Sequence, residues 1–127
     1  MAYLLDTHAL IWWWNAPERL SRSASKVLSA AGDIYVSAVS GLEIAIKVRI
    51  EQLPSMSNQI DRFDDAIRAD GFHHLPIKHE HAVRGGLMPG AHRDPFDRVI
   101  AAQALIEDLV VITRDRQIAG FGCETLW

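Results

Sequence analysis

The stretch YLLDTHALIWW, residues 3–13, joins a short unbroken apolar run to a segment that continues as a predicted helix. An apolar run of this length is typical of a strand that is buried on both faces, as in a parallel sheet. Asp6 follows the run directly, so a carboxylate stands at the end of the first predicted strand. Asp6 and His8 also interrupt the apolar segment too early for a membrane-spanning helix, and no basic residue precedes it as in an export signal.

The rest of the chain repeats this alternation of strand and helix. Periodicity predicts strands at 3–6, 33–37, 72–77, 109–113 and, at the end, 123–127; it predicts helices at 17–32, 40–53, 58–71, a short one from 78, and 95–108. Strands separated by helices over 127 residues predict one α/β domain covering 1–127. We expect a three-layer sandwich with a small, mostly parallel sheet flanked by helices.

Composition limits where the protein acts and what it binds. A single cysteine, Cys123, excludes an internal disulfide framework, which favours a reducing cytoplasm, and no other apolar run is long enough for a membrane. The net charge of −3 argues weakly against a nucleic-acid partner. If five acidic residues bind metal, however, 13 basic residues face 11 remaining acidic ones, and arginines outnumber lysines ten to three. The guanidinium group suits phosphate.

Acidic residues follow two of the predicted strands. Asp6 ends the first strand and Asp115 comes just after 109–113, so both are expected at the carboxyl edge of the sheet, where such sheets place their sites. Either aspartate alone is equally consistent with a solvated loop. Glu43 matches a capping box with Ser40, which explains it by helix stability, but a helix that follows a strand also starts at this edge.

The segment HRDPFDRVIAAQA, residues 92–104, places two aspartates around a proline before an apolar helix. Asp94 as the cap, Pro95 at the first helical position and Asp97 at the third are explained by stability alone. With Asp6, Glu43 and Asp115, however, five carboxylates would share one edge and repel each other unless a cation were present. Oxygen ligands suit Mg²⁺ or Mn²⁺. We expect Asp94 and Asp97 to cap the helix, and at least Asp97 also to face a metal.

Four motifs together resemble the PIN-domain family, and within it the VapC-type toxin ribonucleases of bacterial and archaeal toxin–antitoxin operons. They are YLLDTHALIWW, VSAVSGLEIAIK, HRDPFDRVIAAQA and LVVITRD, in the family's order and spacing from residue 3 to 115. The family's acidic quartet falls on Asp6, Glu43, Asp97 and Asp115. Leu42 stands where the family usually has tryptophan, an apolar exchange that bears on packing.

The resemblance implies hydrolysis of RNA phosphodiester bonds by one or two Mg²⁺ or Mn²⁺ ions, leaving a 5′-phosphate and a 3′-hydroxyl. Asp6 and Asp97 would be the principal ligands, Asp115 would complete the site directly or through water, and Glu43 would be a ligand or orient the water. Asp94 is a supporting ligand or only a helix cap.

Several residues beside the acids are candidates for supporting roles. Thr7, Ser40 and Thr113 offer hydroxyls to the acidic groups, and His92 either contacts substrate or braces its loop. Arginines at four positions either hold RNA phosphates or form ion pairs that keep the acids in place without metal. These arginines are Arg93, Arg98, Arg114 and Arg116.

The resemblance also implies partners: a cognate VapB-type antitoxin, a homodimer and a toxin–antitoxin hetero-oligomer, all in the cytoplasm and without a membrane. The alternative function is a non-catalytic PIN-like RNA-binding or regulatory module that uses its acids only as caps. A phosphatase that uses Asp6 as its phospho-acceptor is disfavoured, because such enzymes usually have a second aspartate two positions on, where this chain has His8.

Overall fold

The computed structural model describes residues 1–30 and 32–127. Its helices and strands alternate along the whole chain. The strands are β1 (Ala2–Leu5), β2 (Asp33–Ser37), β3 (His73–Leu75), β4 (Val110–Ile112) and β5 (Thr125–Leu126). The helices are α1 (Thr7–Asn15), α2 (Arg22–Ser29), α3 (Ala38–Arg49), α4 (Ser57–Asp61), α5 (Phe63–Ala69), α6 (His79–Leu87), α7 (Pro95–Glu107) and α8 (Arg116–Ala119), with 3₁₀ turns at Pro17–Arg19 and Pro54–Met56.

The five strands form one sheet in the order β3-β2-β1-β4-β5, and every pair is parallel. This confirms the predicted α/β class, and the sheet is wholly rather than mostly parallel. β1 lies at the centre, where its unbroken apolar sequence is buried on both faces. The carboxyl ends of β1 and of its neighbours therefore meet at one edge, which is the edge at which Asp6 and Asp115 were expected.

Two apolar clusters cover the two faces of the sheet. Leu5 contributes to one of them, together with side chains from α1, α2, α3 and α5. Leu4, its neighbour on β1, contributes to the other, which is formed mainly with α7 and α8. The alternation of side chains along a strand explains this division. The structure therefore has the three layers that were predicted, helix, sheet and helix.

Two predicted helices are each broken into shorter pieces. The helix expected over 17–32 is a 3₁₀ turn followed by α2, because Leu20 is extended and Ser21 caps α2 by accepting the amide of Ala24 at 3.0 Å. Ala31 of this prediction lies outside the described residues. The helix expected over 58–71 breaks at Arg62, so that α5 starts at Phe63, whose ring packs edge-on against Trp14. Gly71, with φ of +73°, ends this segment as predicted.

Helices α6 and α7 are clamped to each other by a buried histidine. His81 is fully buried; its Nδ1 accepts the backbone amide of Lys78 at 2.9 Å, so its Nε2 carries the proton and donates to Glu107 at 3.0 Å. The short helix predicted from residue 78 is the nine-residue helix α6, and His81 joins it to the last residue of α7. No helix among the described residues is long and apolar enough to cross a membrane.

Candidate active site

Asp6 lies at the end of β1 and is nearly completely buried, with 4% of its surface exposed. One carboxylate oxygen caps α1 by accepting the amide of Ala9 at 2.7 Å, and the other accepts the hydroxyl of Thr113 at 2.5 Å. Burial raises the pKa of Asp6 to about 6, although these two hydrogen bonds oppose that effect. The fold thus holds a carboxylate in a place that disfavours its charge.

The two aspartates that flank Pro95 have different partners. Asp94 caps α7 with one oxygen, which accepts the amide of Phe96 at 2.9 Å and that of Asp97 at 3.3 Å. Asp97, which is 9% exposed, instead accepts a hydrogen bond from His92 Nε2 at 2.8 Å. Asp94 alone therefore makes the capping hydrogen bonds that were predicted for both residues. His92 braces Asp97 directly.

The charges of four aspartates act on one another at this edge. Burial raises the pKa of Asp97, and the charges of Asp94 and Asp115 raise it further, whereas His92 lowers it. The charge of Asp97 in turn contributes to the raised pKa of Asp6. The structure thus brings together four of the five predicted acids. Potential ligand atoms of His92, Asp94 and Asp97 lie within 4.8 Å of one another.

Asp115 is joined to Asp6 through a shared threonine. Its backbone amide donates to the hydroxyl of Thr113 at 2.9 Å, and that hydroxyl donates in turn to Asp6. The side chain of Asp115 caps α8 by accepting the amide of Gln117 at 2.9 Å. Helix α8, which has only four residues, was not predicted.

Glu43 lies on α3, and its surroundings correct the predicted capping box. The helix begins three residues earlier than that prediction requires, with Ser37 as its cap accepting the amide of Val39 at 3.0 Å. The hydroxyl of Ser40 instead lies 3.0 Å from that of Thr7. Glu43 is 4% exposed and pairs with Lys47 at 2.8 Å. Ser40 and Glu43 share one side of the helix, because they are three residues apart.

The four arginines predicted to flank the acids have separate surroundings. The guanidinium of Arg98 donates to the carbonyls of Met88 and His92, the latter at 3.2 Å, and lies 5.2 Å from the ring centroid of Phe121. Arg98 therefore holds the loop before α7. Arg93, Arg114 and Arg116 are exposed. Within residues 1–30 and 32–127 none of the four pairs with a carboxylate, so no contact supports the ion-pair alternative.

A cleft of about 610 Å³ opens beside Asp6 and Asp115. Its other lining residues are His8, Trp12, Arg19, Arg114 and Arg116. His8, Trp12 and Arg19 were not predicted to belong to the site. For His8 a signal was present, since it follows Asp6 by two residues. No feature of the sequence marked Arg19, because its position depends on the 3₁₀ turn at Pro17–Arg19, where the start of a longer helix was predicted.

The donor set at this edge fits a hard divalent cation. Asp6 and Asp97 are buried carboxylates whose pKa is raised by burial, and no lysine or arginine in the described part of the chain pairs with either of them. A cation there would offset both the burial and the mutual repulsion of the acids. Carboxylate oxygens are the ligands that Mg²⁺ and Mn²⁺ favour.

Known proteins resemble this chain in sequence. The family model of the PIN domain matches residues 3–122. Ribonuclease VapC22 of Mycobacterium tuberculosis is 29% identical over 119 residues, which cover 91% of this chain and 88% of that protein.

Solved structures share the fold. VapBC2 of Rickettsia felis, bound to a DNA fragment from its promoter, has a TM-score of 0.73 at 15% identity, covering 99% of this chain and 98% of that one. A toxin–antitoxin complex of Klebsiella pneumoniae has a TM-score of 0.66 at 24% identity, with coverage of 94% and 92%. FitAcB of Neisseria gonorrhoeae has a TM-score of 0.68 at 20% identity, with coverage of 98% and 96%.

Proposed function

Because the chain belongs to the PIN domain family, we propose that it is the toxin of a type II toxin–antitoxin module and a metal-dependent endoribonuclease. The observation that carries this proposal is the pair of buried carboxylates, Asp6 and Asp97, whose charges act on each other without a lysine or arginine partner in the described residues. The similarity to a VapC ribonuclease supports RNA as the substrate. A single PIN domain would span residues 1–127.

Four acidic residues would hold the cation. Asp6 and Asp97 would be the principal ligands, Asp115 would bind directly or through water, and Asp94 would support the site while capping α7. One or two bound Mg²⁺ or Mn²⁺ ions would supply a Lewis acid for the phosphoryl oxygens and a water of lowered pKa.

The chain's own groups fix these ligands in place. Thr113 holds one oxygen of Asp6, and the amide of Ala9 holds the other, so the orientation of this carboxylate is set before any ligand arrives. His92 does the same for Asp97. Glu43, which pairs with Lys47, would orient a water or serve as a further ligand. No side chain needs to act as a nucleophile.

The structural similarity to toxin–antitoxin complexes supports an antitoxin partner. We propose that a VapB-type antitoxin neutralises the chain, that the toxin is a homodimer, and that the two proteins form a hetero-oligomer. Its place of action would be the cytoplasm, where its RNA substrate is found.

Cleavage of end-labelled RNA by the antitoxin-free protein tests the activity. We expect cleavage with Mg²⁺ or Mn²⁺, none with chelator, and a loss of about 100-fold or more in Asp97→Asn, equivalent to a few kcal/mol of transition-state stabilisation. Asp61→Asn, an exposed acid on α4, is the matched control and should retain full activity.

The chemical groups at the ends of the RNA products distinguish the proposed reaction from cleavage by a contaminating ribonuclease. The proposed reaction leaves a 5′-phosphate and a 3′-hydroxyl, whereas nucleases that use the RNA 2′-hydroxyl leave a cyclic phosphate and need no metal. Equal cleavage by wild type and Asp97→Asn would contradict the proposal.

The second candidate, a non-catalytic RNA-binding or regulatory module, is favoured by one observation. Asp6, Asp94 and Asp115 each cap a helix, so stability alone explains three of the acids. Capping does not explain Asp97, whose carboxylate bonds to His92 and makes no capping hydrogen bond in the described structure. RNA binding that persists in a protein without metal-dependent cleavage would favour this candidate.

A further inference from the structure

Two arginines from distant parts of the chain contact the same tryptophan at the cleft. The guanidinium carbon of Arg19, at the end of the 3₁₀ turn, lies 5.0 Å from the ring centroid of Trp12. That of Arg114, just after β4, lies 4.7 Å from the same centroid. Both distances are in the range in which an aromatic ring attracts a cation. The ring therefore holds two positive charges at one wall of the cleft.

The tryptophan itself is fixed. Trp12 is 9% exposed and packs edge-on against Trp127, with ring centroids 5.7 Å apart. A ring buried to this extent cannot stack on a nucleotide base without rearrangement. Its contribution to the cleft is instead to position the two guanidiniums, whose side chains would otherwise be free to move.

The N–H donors of the two guanidinium groups are available to a ligand. Within the described ranges, neither Arg19 nor Arg114 makes an ion pair or a side-chain hydrogen bond. Arg116, the third arginine of the cleft, is exposed in the same way. Arginine donors match the oxygens of a phosphate, often in pairs. Arg98 differs, because its donors already bind two carbonyls.

We propose that Arg19 and Arg114, held on Trp12, form a phosphate-binding subsite that seats the RNA backbone beside the acidic residues. That the ligand is RNA rests on the proposed function. The subsite adds the path of the RNA, which would run from the acidic residues along α1 and the 3₁₀ turn. Asp6 and Asp115 in the same cleft repel a polyanion such as RNA. The positive charges of the two arginines offset that repulsion. Arg19 binds the substrate at this subsite and takes no part in the chemistry.

The test compares two neighbouring arginines. Arg19→Ala removes a proposed phosphate contact, whereas Arg22→Ala removes an exposed arginine of α2 that lines a separate cavity. Binding of a short 5′-fluorescein RNA is measured by anisotropy over a range of KCl, in Mg²⁺, with Asp97→Asn in every chain so that the probe stays intact. We expect Arg19→Ala to raise Kd roughly fivefold and to lower the slope of log K against log salt by about 0.7, the value for one phosphate contact on a single strand. Arg22→Ala should leave both values unchanged.

Two further measurements test whether Arg19 acts through its charge and through substrate binding. Arg19→Lys keeps the charge, so it should retain the salt slope while losing part of the affinity. In chains with Asp97 intact, Arg19→Ala should raise KM and leave kcat unchanged, since the contact is made equally in the ground and transition states.

The subsite and the nuclease can fail separately. Equal Kd and salt slope for Arg19→Ala and Arg22→Ala would overturn the subsite, even if the wild type cleaves RNA with metal. A salt slope lowered in Arg19→Ala but not in Arg22→Ala would support the subsite, even if no metal-dependent cleavage were found. A loss of affinity without a change of slope would show that Arg19 only packs against Trp12, and would also overturn the subsite.

Discussion

Asp6 has two roles that oppose each other. As the cap of α1 it stabilises the fold, because its oxygen satisfies the amide of Ala9. As a buried carboxylate it destabilises the fold when ionised, and its pKa is raised to about 6. A residue chosen for stability alone would keep the first role and avoid the second, as asparagine does. The cost of the ionised carboxylate to the stability of the fold can be measured.

We predict that Asp6→Asn stabilises the metal-free protein at neutral pH. The native carboxyl holds its proton up to about pH 6 and the unfolded one only up to about 3.8, so wild-type stability falls as pH rises between these values. Asparagine keeps the cap without the charge. Each pKa unit corresponds to about 1.4 kcal/mol, so we expect a gain of about 1–3 kcal/mol near pH 7 that disappears toward pH 4.

Urea unfolding in chelator, for both proteins across this pH range, checks the prediction. A difference that stays the same at every pH would show that burial of the carboxylate is not its cause.

The sequence predicted the position of the acidic residues better than it predicted the side chains that hold them. Asp6 and Asp115 were assigned to the sheet edge because the end of a strand is visible in the sequence, and Asp97 because the start of its helix is marked by Asp94 and Pro95. The partners that hold them were less visible: the contact of His92 with Asp97 follows from a loop whose path no periodicity describes. The pairing of Glu43 with Lys47 was within reach, since it is an ordinary i, i+4 pair.

Helices α6 and α7 approach each other closely at a glycine. A Cβ atom on Gly85 would lie 3.0 Å from the carbonyl oxygen of Arg98, in the second turn of α7. Gly86, its neighbour on α6, faces open space. Close packing at Gly85 therefore fixes the start of α7, which carries Asp97, and the two glycines form a matched pair for measuring this effect.

We predict opposite effects of alanine at the two positions. Gly85→Ala should destabilise the protein by about 1–3 kcal/mol, because backbone atoms of α7 cannot move aside as a flexible side chain would. Gly86→Ala should stabilise it by about 0.5–1 kcal/mol, since alanine is more favourable than glycine at an exposed helical site. Chemical denaturation of both variants gives the two values. If Gly85→Ala is as stable as Gly86→Ala, α6 and α7 are not in close contact here.

Elements were predicted well where the sequence pattern and the tertiary contacts agreed. β2 was predicted with its observed bounds, and α7 within one residue, because the apolar run, the cap and the proline all mark the same start. The start of α3 was wrong, since Ser37 and Ser40 are equally good caps in isolation and only the contact of Ser40 with Thr7 decides between them. The four-residue helix α8 and the break at Arg62 have no periodicity of their own.

The whole molecule is assembled around one edge of its sheet. The four aspartates are supplied by the start of α1, the start of α7 and the start of α8, and these helices lie on both faces of the sheet. A cation bound to them would link both helical layers to the central strand. Metal binding should therefore stabilise the complete fold and not a single loop, since the unfolded chain has no comparable site.

We predict that Mg²⁺ or Mn²⁺ raises the unfolding temperature of the wild-type protein and that chelator reverses the rise. At a metal concentration about 100 times Kd, linkage gives about 2.7 kcal/mol, which is several degrees for a chain of this size. Asp97→Asn should lose this response, because it removes a principal ligand, whereas Asp61→Asn on α4 should keep it in full. Scanning calorimetry with and without metal measures all three. An equal metal response in Asp97→Asn would place the cation elsewhere, and no response in the wild type would leave Asp6, Asp94 and Asp115 as helix caps only.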